Sequence, residues 1–186
     1  MGYIFSPEKI HEIGRRAAGL PFPAMVRQLI DDLDAAYPGH IEAKEDWLFS
    51  IVAGATGVMT VLHASLSEYV IIFGSAVGTE GFSGRYAVEI FDCVTTGEMW
   101  TYTDDNVSQR VITRPGELAH LPRERVKGYR IHENTWMLEY GRGIIPTALP
   151  IAVGDSVFSA MDFYTVAKTF WNYGKLTLRE LRQGKI

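Results

Sequence analysis

Cysteine is almost absent from this sequence. The 186 residues include a single one, Cys93, which excludes an internal disulfide and any zinc site built from several cysteines. A chain of this length buries enough apolar surface to be stable without either kind of cross-link. We therefore expect one domain over residues 1–186, held together by its core alone.

Long apolar runs and a strong excess of one charge are missing too. The most apolar stretch, Gly143 to Gly154, contains two prolines and is much shorter than the roughly 20 residues that cross a bilayer. Near the N-terminus, acids and a histidine stand where a secretory signal needs an uninterrupted apolar segment. With 18 Lys and Arg against 22 Asp and Glu, the net charge is −4. No basic block is present, so we expect no membrane-spanning segment and no nucleic-acid partner.

Motifs that bind metals or cofactors are also lacking. The histidines His63, His120 and His132 show no His-x-His or His-Glu-x-x-His spacing. The glycine-rich run from Gly74 to Gly81 follows a strand pattern without opening a helix, and it lacks the Lys-Ser/Thr pair of a phosphate-binding loop. We expect a turn at this run, and neither a metal nor a cofactor.

Apolar residues at helical spacing predict helices in the first third of the chain. Ser6 and Pro7 favour the start of a helix that ends near Gly19, and a second amphipathic helix is predicted over residues 22–36. A third helix is predicted over residues 43–65, because small and apolar residues recur there at intervals of three and four. The residues of that pattern are Trp47, Ile51, Gly54, Val58 and Leu62.

The middle of the chain has a different pattern. Short segments rich in β-branched and aromatic residues, separated by glycine or polar turns, predict an antiparallel sheet or small barrel over residues 68–150. Helical spacing returns after Pro150 and predicts helices within residues 154–183, with Ser159 and Asp162 resembling a capping box. The whole is an α+β arrangement with helices in residues 6–66 before the sheet and helices after it.

Two of the predicted strands, YAVEIFDCV and NTWMLEY, together contain three acids. Alternation in YAVEIFDCV places Asp92 and Glu89 on opposite faces, and in NTWMLEY it places Glu139 on the face of Met137. Each acid could be exposed, or buried and satisfied by Arg85, Arg142 or tyrosine hydroxyls. Alternatively, two carboxylates in an apolar pocket would share a proton and act as acid and base. The spacing leaves both interpretations open.

Several strings together resemble one protein family, that of the sigma-1 receptor and the fungal C-8 sterol isomerase. They extend, in order, over nearly the whole chain. The strings are LHASLSEYV (Leu62 to Val70), the run from Phe73 to Gly81, SGRY (Ser83 to Tyr86), NTWMLEYGRGIIP (Asn134 to Pro146) and DSVFSAMDF (Asp155 to Phe163).

The resemblance implies a cupin-like antiparallel β-barrel around an elongated apolar pocket, with helices beside it and two amphipathic C-terminal helices. Glu139 matches the family's pocket glutamate, which meets a ligand's cationic amine, and Asp92 matches its aspartate partner in the receptor. Tyr69 matches a tyrosine that hydrogen-bonds the glutamate. The implied apolar walls of the pocket are Met59, Phe73, Tyr86, Leu149 and Tyr173.

The resemblance implies one of two functions. In the isomerase, a sterol ring double bond moves from the 8 to the 7 position, with Glu139 as the catalytic acid and Asp92 or Glu89 as its partner. Glu89 is an alternative to Asp92 because, in the isomerase, the acidic residues of the corresponding strand lie a few positions earlier than Asp92. In the receptor, the same pocket binds a sterol-like or cationic amphiphilic ligand without turnover. The strings match both branches and leave the choice open.

The resemblance also implies that the protein binds a membrane surface and associates with other copies of its own chain. Eukaryotic members begin with a membrane-spanning helix that this sequence does not show, so we expect peripheral association through the C-terminal helices. The membrane would be of endoplasmic-reticulum type in a eukaryote, or the cytoplasmic membrane face in a bacterium. Apolar and basic side chains there suit an interfacial position, although those faces could also pack on the barrel or between subunits. By analogy we expect a homotrimer built through the barrel.

Overall fold

The fold is built on ten antiparallel strands in two sheets. The computed structural model describes residues 2–186. The strands are β1 (Leu48–Val52), β2 (Ala55–Ala64), β3 (Glu68–Ser75), β4 (Thr79–Phe82), β5 (Val88–Thr96), β6 (Met99–Thr103), β7 (Asn106–Thr113), β8 (Leu118–Leu121), β9 (Gly128–Ile131) and β10 (Thr135–Gly143). The larger sheet has the order β1-β2-β3-β10-β5-β8, and the smaller has the order β4-β9-β6-β7.

Two N-terminal helices cover the outer face of the larger sheet. These are α1 (Pro7–Ala17) and α2 (Phe22–Ala36), and α1 packs on β5 and β10. The Ser6 side chain caps α1 by accepting a hydrogen bond from the Lys9 amide, as the sequence predicts. Apolar residues of both helices form one core with Val70, Ile72 and Leu138. Because the sheet is apolar on this face too, its central strands are buried on both sides.

The inner face of the larger sheet turns toward the smaller sheet. A second apolar cluster lies there, with Met59, Ile71 and Met137 from the larger sheet and Met99 and Ile131 from the smaller. Two C-terminal helices, α3 (Leu149–Phe158) and α4 (Phe163–Arg182), follow a short 3-10 turn over Ile145–Ala148. They pack on β1 and β2 at one end of the space between the sheets.

The prediction of a third helix over residues 43–65 is wrong. Residues 48–64 form the hairpin of β1 and β2, which turns through Ala53 and Gly54, both with positive φ (47° and 92°). Nearly all of β2 is buried, and a strand buried on both faces shows a continuous apolar run instead of an alternation. The small and apolar residues that recur at intervals of three and four in this hairpin therefore produced a helical pattern in the sequence, although the segment forms strands. The predicted boundary between a helical part at 6–66 and a barrel at 68–150 therefore shifts toward the N-terminus, because the strands begin at Leu48.

The α+β fold and the antiparallel sheets are confirmed, with two adjustments. The two sheets remain separate ladders over residues 2–186, so hydrogen bonds do not close the barrel. The two C-terminal helices begin at Leu149 and Phe163, and Asp162 caps α4 where Ser159 was expected to cap. Over the described residues 2–186, no helix is both long enough and apolar enough to cross a membrane.

Candidate functional site

A cavity lies between the two sheets and is bordered at one end by α3 and α4. Its walls are largely apolar, with a few polar groups deep inside. All the pocket residues predicted for ligand binding line it: Met59, Tyr69, Phe73, Tyr86, Asp92, Glu139, Leu149 and Tyr173. The alternation rule explains the match, because Asp92 and Glu139 point the same way as Ile90 and Met137.

The two carboxylates stand on neighbouring strands. Glu139 of β10 pairs directly with Asp92 of β5 in the antiparallel register, and directly opposed residues of such a pair have side chains within interaction distance. On its other side Glu139 is opposite Ile71 of β3. The sequence pattern could not show that the two strands are neighbours, since nearly forty residues and four further strands lie between them.

Glu139 is held by Tyr69. The Tyr69 hydroxyl donates a 2.6 Å hydrogen bond to Oε1 of Glu139. Burial and the nearby Asp92 raise the pKa of Glu139 to about 7, against the smaller opposing effects of Tyr69 and Lys127. Near neutral pH this carboxyl group therefore exchanges between its acid and carboxylate forms, which suits a group that gives and takes protons.

Three further tyrosines border the same carboxyl group. Burial, followed by the proximity of Glu139, raises the pKa of Tyr86, Tyr129 and Tyr173 well above that of an exposed tyrosine. Their hydroxyls are therefore uncharged throughout the physiological range. Together with the apolar walls they form a neutral surface around the acids, suited to an uncharged and mostly hydrocarbon ligand.

Lys127 and Tyr129 are pocket residues that the sequence analysis missed. Lys127 lies just before β9, and its Nζ donates a 2.5 Å hydrogen bond to Oδ2 of Asp92, with the lysine side chain only 10% exposed. Lysine is normally a surface residue, so nothing in the string VKGYRI marks a buried one. Tyr129 could have been found, since alternation puts it on the face of the apolar Ile131.

Glu89 lies outside the cavity, which corrects its prediction as a catalytic partner. It is on the opposite face of β5 from Asp92, where Oε2 accepts a 2.7 Å hydrogen bond from Arg142 and Oε1 lies 2.8 Å from Nε2 of His120. Partial burial works to raise the pKa of Glu89, but these two partners lower it below the usual value. A carboxylate engaged in this way outside the pocket cannot reach a ligand in it.

The described chain, residues 2–186, holds no cluster of three or more His, Cys, Asp or Glu side chains arranged for a metal ion. The titratable side chains that line the cavity carry carboxyl, phenol and ammonium groups. Of these, Glu139 has both the apolar surroundings and the pKa of a proton donor at neutral pH.

Comparison with known proteins shows the family to which the chain belongs. The chain is 37% identical over 182 residues to the sigma non-opioid intracellular receptor 1 of Taricha granulosa, covering 96% of this chain and 80% of the relative. It is 37% identical over 183 residues to the C-8 sterol isomerase erg2 of Aspergillus fumigatus, covering 96% and 74%. Among solved structures, KdgF from Halomonas sp. matches with a TM-score of 0.45 and 12% identity over 56% of this chain and 91% of that one. The family model described as ERG2 and Sigma1 receptor like protein matches residues 1–185, and the chain belongs to this family.

Proposed function

We propose that the protein is a sterol isomerase that moves a ring double bond from the 8 to the 7 position. The observation that carries the proposal is Glu139, a carboxyl group with a pKa of about 7 that stands opposite Asp92 in an apolar cavity. Such a reaction needs an acid strong enough to protonate an alkene and a pocket that keeps water from the resulting cation. The relatives named as C-8 sterol isomerases support the same choice.

The reaction follows from the placement of the groups. Tyr69 donates to Oε1 of Glu139, which leaves Oε2 as the oxygen that carries the proton. Transfer of that proton to one alkene carbon generates a tertiary cation at the other. The carboxylate left on Glu139 and its neighbour Asp92 stabilise this positive charge. Loss of a proton from the adjacent ring carbon to the carboxylate of Glu139 forms the shifted double bond and restores the starting state.

A receptor-like role without turnover is the second candidate, because curated relatives of similar identity are sigma receptors. In that role the Glu139 carboxylate would pair with a ligand's ammonium group. The two roles differ in one measurable property, which is whether the double bond of a bound sterol moves.

The direct test is incubation of the purified protein in detergent with a sterol carrying the 8 double bond, in D₂O and in H₂O, with products followed by chromatography and mass spectrometry. We expect the 7-ene product, one deuterium heavier in D₂O, because each turnover places a solvent-exchanged proton from Glu139 on carbon. Product without deuterium would contradict protonation by this acid. Tight sterol binding with no product would establish the receptor-like role instead.

We further propose that α3 and α4 rest on a membrane surface. Aromatic side chains on these helices are strongly exposed, among them Phe158 (84%), Tyr164 (75%) and Trp171 (70%). Exposed aromatic side chains on amphipathic helices are typical of helices that lie at a membrane interface. The same helices border the cavity, so an apolar ligand would pass from lipid to pocket without crossing water.

Replacing these three aromatic residues together with glutamate should reduce binding to phosphatidylcholine vesicles at least about tenfold, since each aromatic ring buried in lipid contributes on the order of 2 kcal/mol. Vesicle flotation measures the effect. The matched control is Tyr102→Glu with Val107→Glu, two exposed residues of the smaller sheet (56% and 79%), which should leave flotation intact. If the triple variant instead floats normally and loses its oligomeric state, the surface is a subunit interface and the proposal is wrong.

A further inference from the structure

The two acids of the cavity have different partners. Nζ of Lys127 lies 2.5 Å from Oδ2 of Asp92, and the two side chains are 10% and 5% exposed. Over residues 2–186, the donor to Glu139 is instead the neutral hydroxyl of Tyr69. Asp92 and Glu139 are therefore held differently, although they stand opposite each other on neighbouring strands.

The position of the ammonium group is fixed through the backbone of Lys127. The lysine amide donates a 2.9 Å hydrogen bond to Oγ of Ser83, and the lysine carbonyl accepts a 3.0 Å hydrogen bond from the Ser83 amide. Ser83 directly follows β4, and Lys127 directly precedes β9 of the same sheet. Together with the short contact between Nζ and Oδ2, this anchoring holds the ammonium group beside Asp92.

This placement decides where a proton is held. Two neighbouring buried carboxyl groups retain one proton between them, and their surroundings determine which of them carries it. An ammonium group hydrogen-bonded to one acid stabilises the charged form of that acid. The proton is therefore left on the acid that lacks this partner, which is Glu139. Burial and the charge of Asp92 act in the same direction on Glu139 and raise its pKa to about 7.

We propose that Lys127 is a positioning residue for the proton of the cavity, because its ammonium group keeps Asp92 as a carboxylate and thereby places the proton on Glu139. The inference deepens the proposed function and rests on it, since it explains how the cavity selects its acid. The carboxyl and ammonium groups of the cavity sum to zero before proton transfer. After transfer the new Glu139 carboxylate balances the sterol cation, so the lysine leaves that cation a carboxylate of its own.

The other titratable groups around the two acids do not compete for this proton. Within the described part of the chain, those that line the cavity are the phenols of Tyr69 on β3, Tyr86 before β5, Tyr129 on β9 and Tyr173 on α4. Burial raises the pKa of each above that of an exposed tyrosine, and all four remain protonated in the physiological range. A change in the proton count of the cavity near neutral pH therefore comes from the two acids and the lysine.

Infrared spectroscopy tests the placement directly, because the C=O stretch of a protonated carboxyl group is separate from the bands of carboxylates. In the wild type, such a band should disappear as pH rises through about 7. It should already be absent from Glu139→Gln at about pH 6, since Asp92 then has Lys127 as its counter-ion. A pH-dependent band that persists in Glu139→Gln and is removed by Asp92→Asn would overturn the inference, because Asp92 would then hold the proton despite its lysine.

Removing the lysine in the Glu139→Gln background should restore a band. In Glu139→Gln with Lys127→Met, Asp92 is buried without a counter-ion and should take up a proton, which gives one protonated carboxyl group per chain at about pH 6. This protonation also spares the variant a buried unpaired charge, so it should fold. Lys127→Arg in the same background keeps the positive charge and should show no band. Absence of the band from the folded Lys127→Met variant would contradict the proposal.

The pH dependence of turnover in Lys127→Met supplies a readout in a chain that keeps Glu139. The positive charge of Lys127 lowers the pKa of Glu139, so its removal should move the pH at which the rate falls upward by about one pH unit or more. The rate on the acid side should also decrease, because a weaker acid gives up its proton less readily. Lys127→Arg should keep the wild-type profile. A lysine with a merely structural role would lower the rate without moving the profile, and that result would reject the proposal.

The infrared test needs no turnover, so it separates this inference from the proposed function. A wild type that forms no product but shows the expected bands would reject the isomerase and keep the role of Lys127 in placing the proton. Product formed by a wild type whose proton lies on Asp92 would keep the isomerase and reject that role.

Discussion

Replacing Glu139 with glutamine should lower the isomerisation rate at least about 1,000-fold, combining the loss of a general acid with the loss of a carboxylate that stabilises the cation. Glutamine keeps the size of the side chain and can still accept the hydrogen bond from Tyr69. The variant should therefore fold and bind a neutral sterol nearly as the wild type does. The measurement is the turnover rate at saturating sterol, with binding checked separately.

The matched control is Glu89→Gln. Glu89 lies on a strand that neighbours β10, three residues before Asp92, but outside the cavity with Arg142 and His120. Its substitution should leave turnover within about threefold of the wild type. Similar losses in both variants would indicate that charge on the larger sheet in general, and not the acid in the pocket, supports the reaction.

The wild-type rate should also depend on pH in one direction. Burial and Asp92 raise the pKa of Glu139 to about 7, and the acid form is the one that donates. The rate should therefore be constant below this pH and fall about tenfold per pH unit above it. A rate that rises above pH 7 would mean that the carboxylate form initiates the reaction, and the assignment of Glu139 as acid would be wrong.

Much of the site could be predicted because it depends on alternation along single strands. In β5 and β10 the rule that neighbouring side chains point to opposite faces separates Asp92 from Glu89 and places Glu139 with Met137. What alternation could not supply was the pairing of the two strands, which depends on the order of the sheet. The resemblance to a family supplied that juxtaposition, and the register of Glu139 opposite Asp92 agrees with it.

Two features escaped the sequence for physical reasons. The hairpin of β1 and β2 was predicted as a helix, because burial on both faces removes the polar alternation that identifies a strand. Lys127 escaped because its burial depends on a partner 35 residues earlier in the chain. Local pattern identifies where a side chain points, whereas burial and ion pairing depend on which distant segment faces it.

Another acid on the larger sheet, Glu68, shows how a structural carboxylate differs from Glu139. Glu68 lies on the helix-covered face of β3 and is fully buried. It accepts hydrogen bonds from the amides of Ile4 (2.8 Å) and Phe5 (3.1 Å), from the Tyr140 hydroxyl (2.7 Å), and lies 2.7 Å from Nζ of Lys185. Four donors from both ends of the chain and the sheet converge on it. Among residues 2–186, Glu139 has only the Tyr69 hydroxyl as a donor, so it remains available to a ligand.

Replacing Glu68 with alanine should therefore destabilise the protein by about 3 to 5 kcal/mol, because it removes the counter-ion of Lys185 and leaves the amides of Ile4 and Phe5 without their acceptor. Within the described residues, the Tyr140 hydroxyl and the Lys185 ammonium group retain only the carbonyls of Phe5 and Gly2. Denaturant unfolding followed by tryptophan fluorescence measures the loss. The Tyr140→Phe variant, which removes one of the four donors, should cost about 1 to 2 kcal/mol. The exposed Glu12, paired with Lys9 and Arg16 on α1, is the control, and its replacement by alanine should leave unfolding unchanged within error.

The folded fraction of Glu68→Ala should bind neutral sterol with unchanged affinity, because Glu68 faces the helices while its neighbour Tyr69 faces the cavity. Glu139→Gln is expected to show the opposite combination, with stability retained and turnover lost. These results would assign a structural role to Glu68, which is fully buried with four donors. They would assign a catalytic role to Glu139, which has a single donor beside an apolar cavity. Loss of stability in Glu139→Gln as large as in Glu68→Ala would remove that distinction and make both carboxylates part of the scaffold.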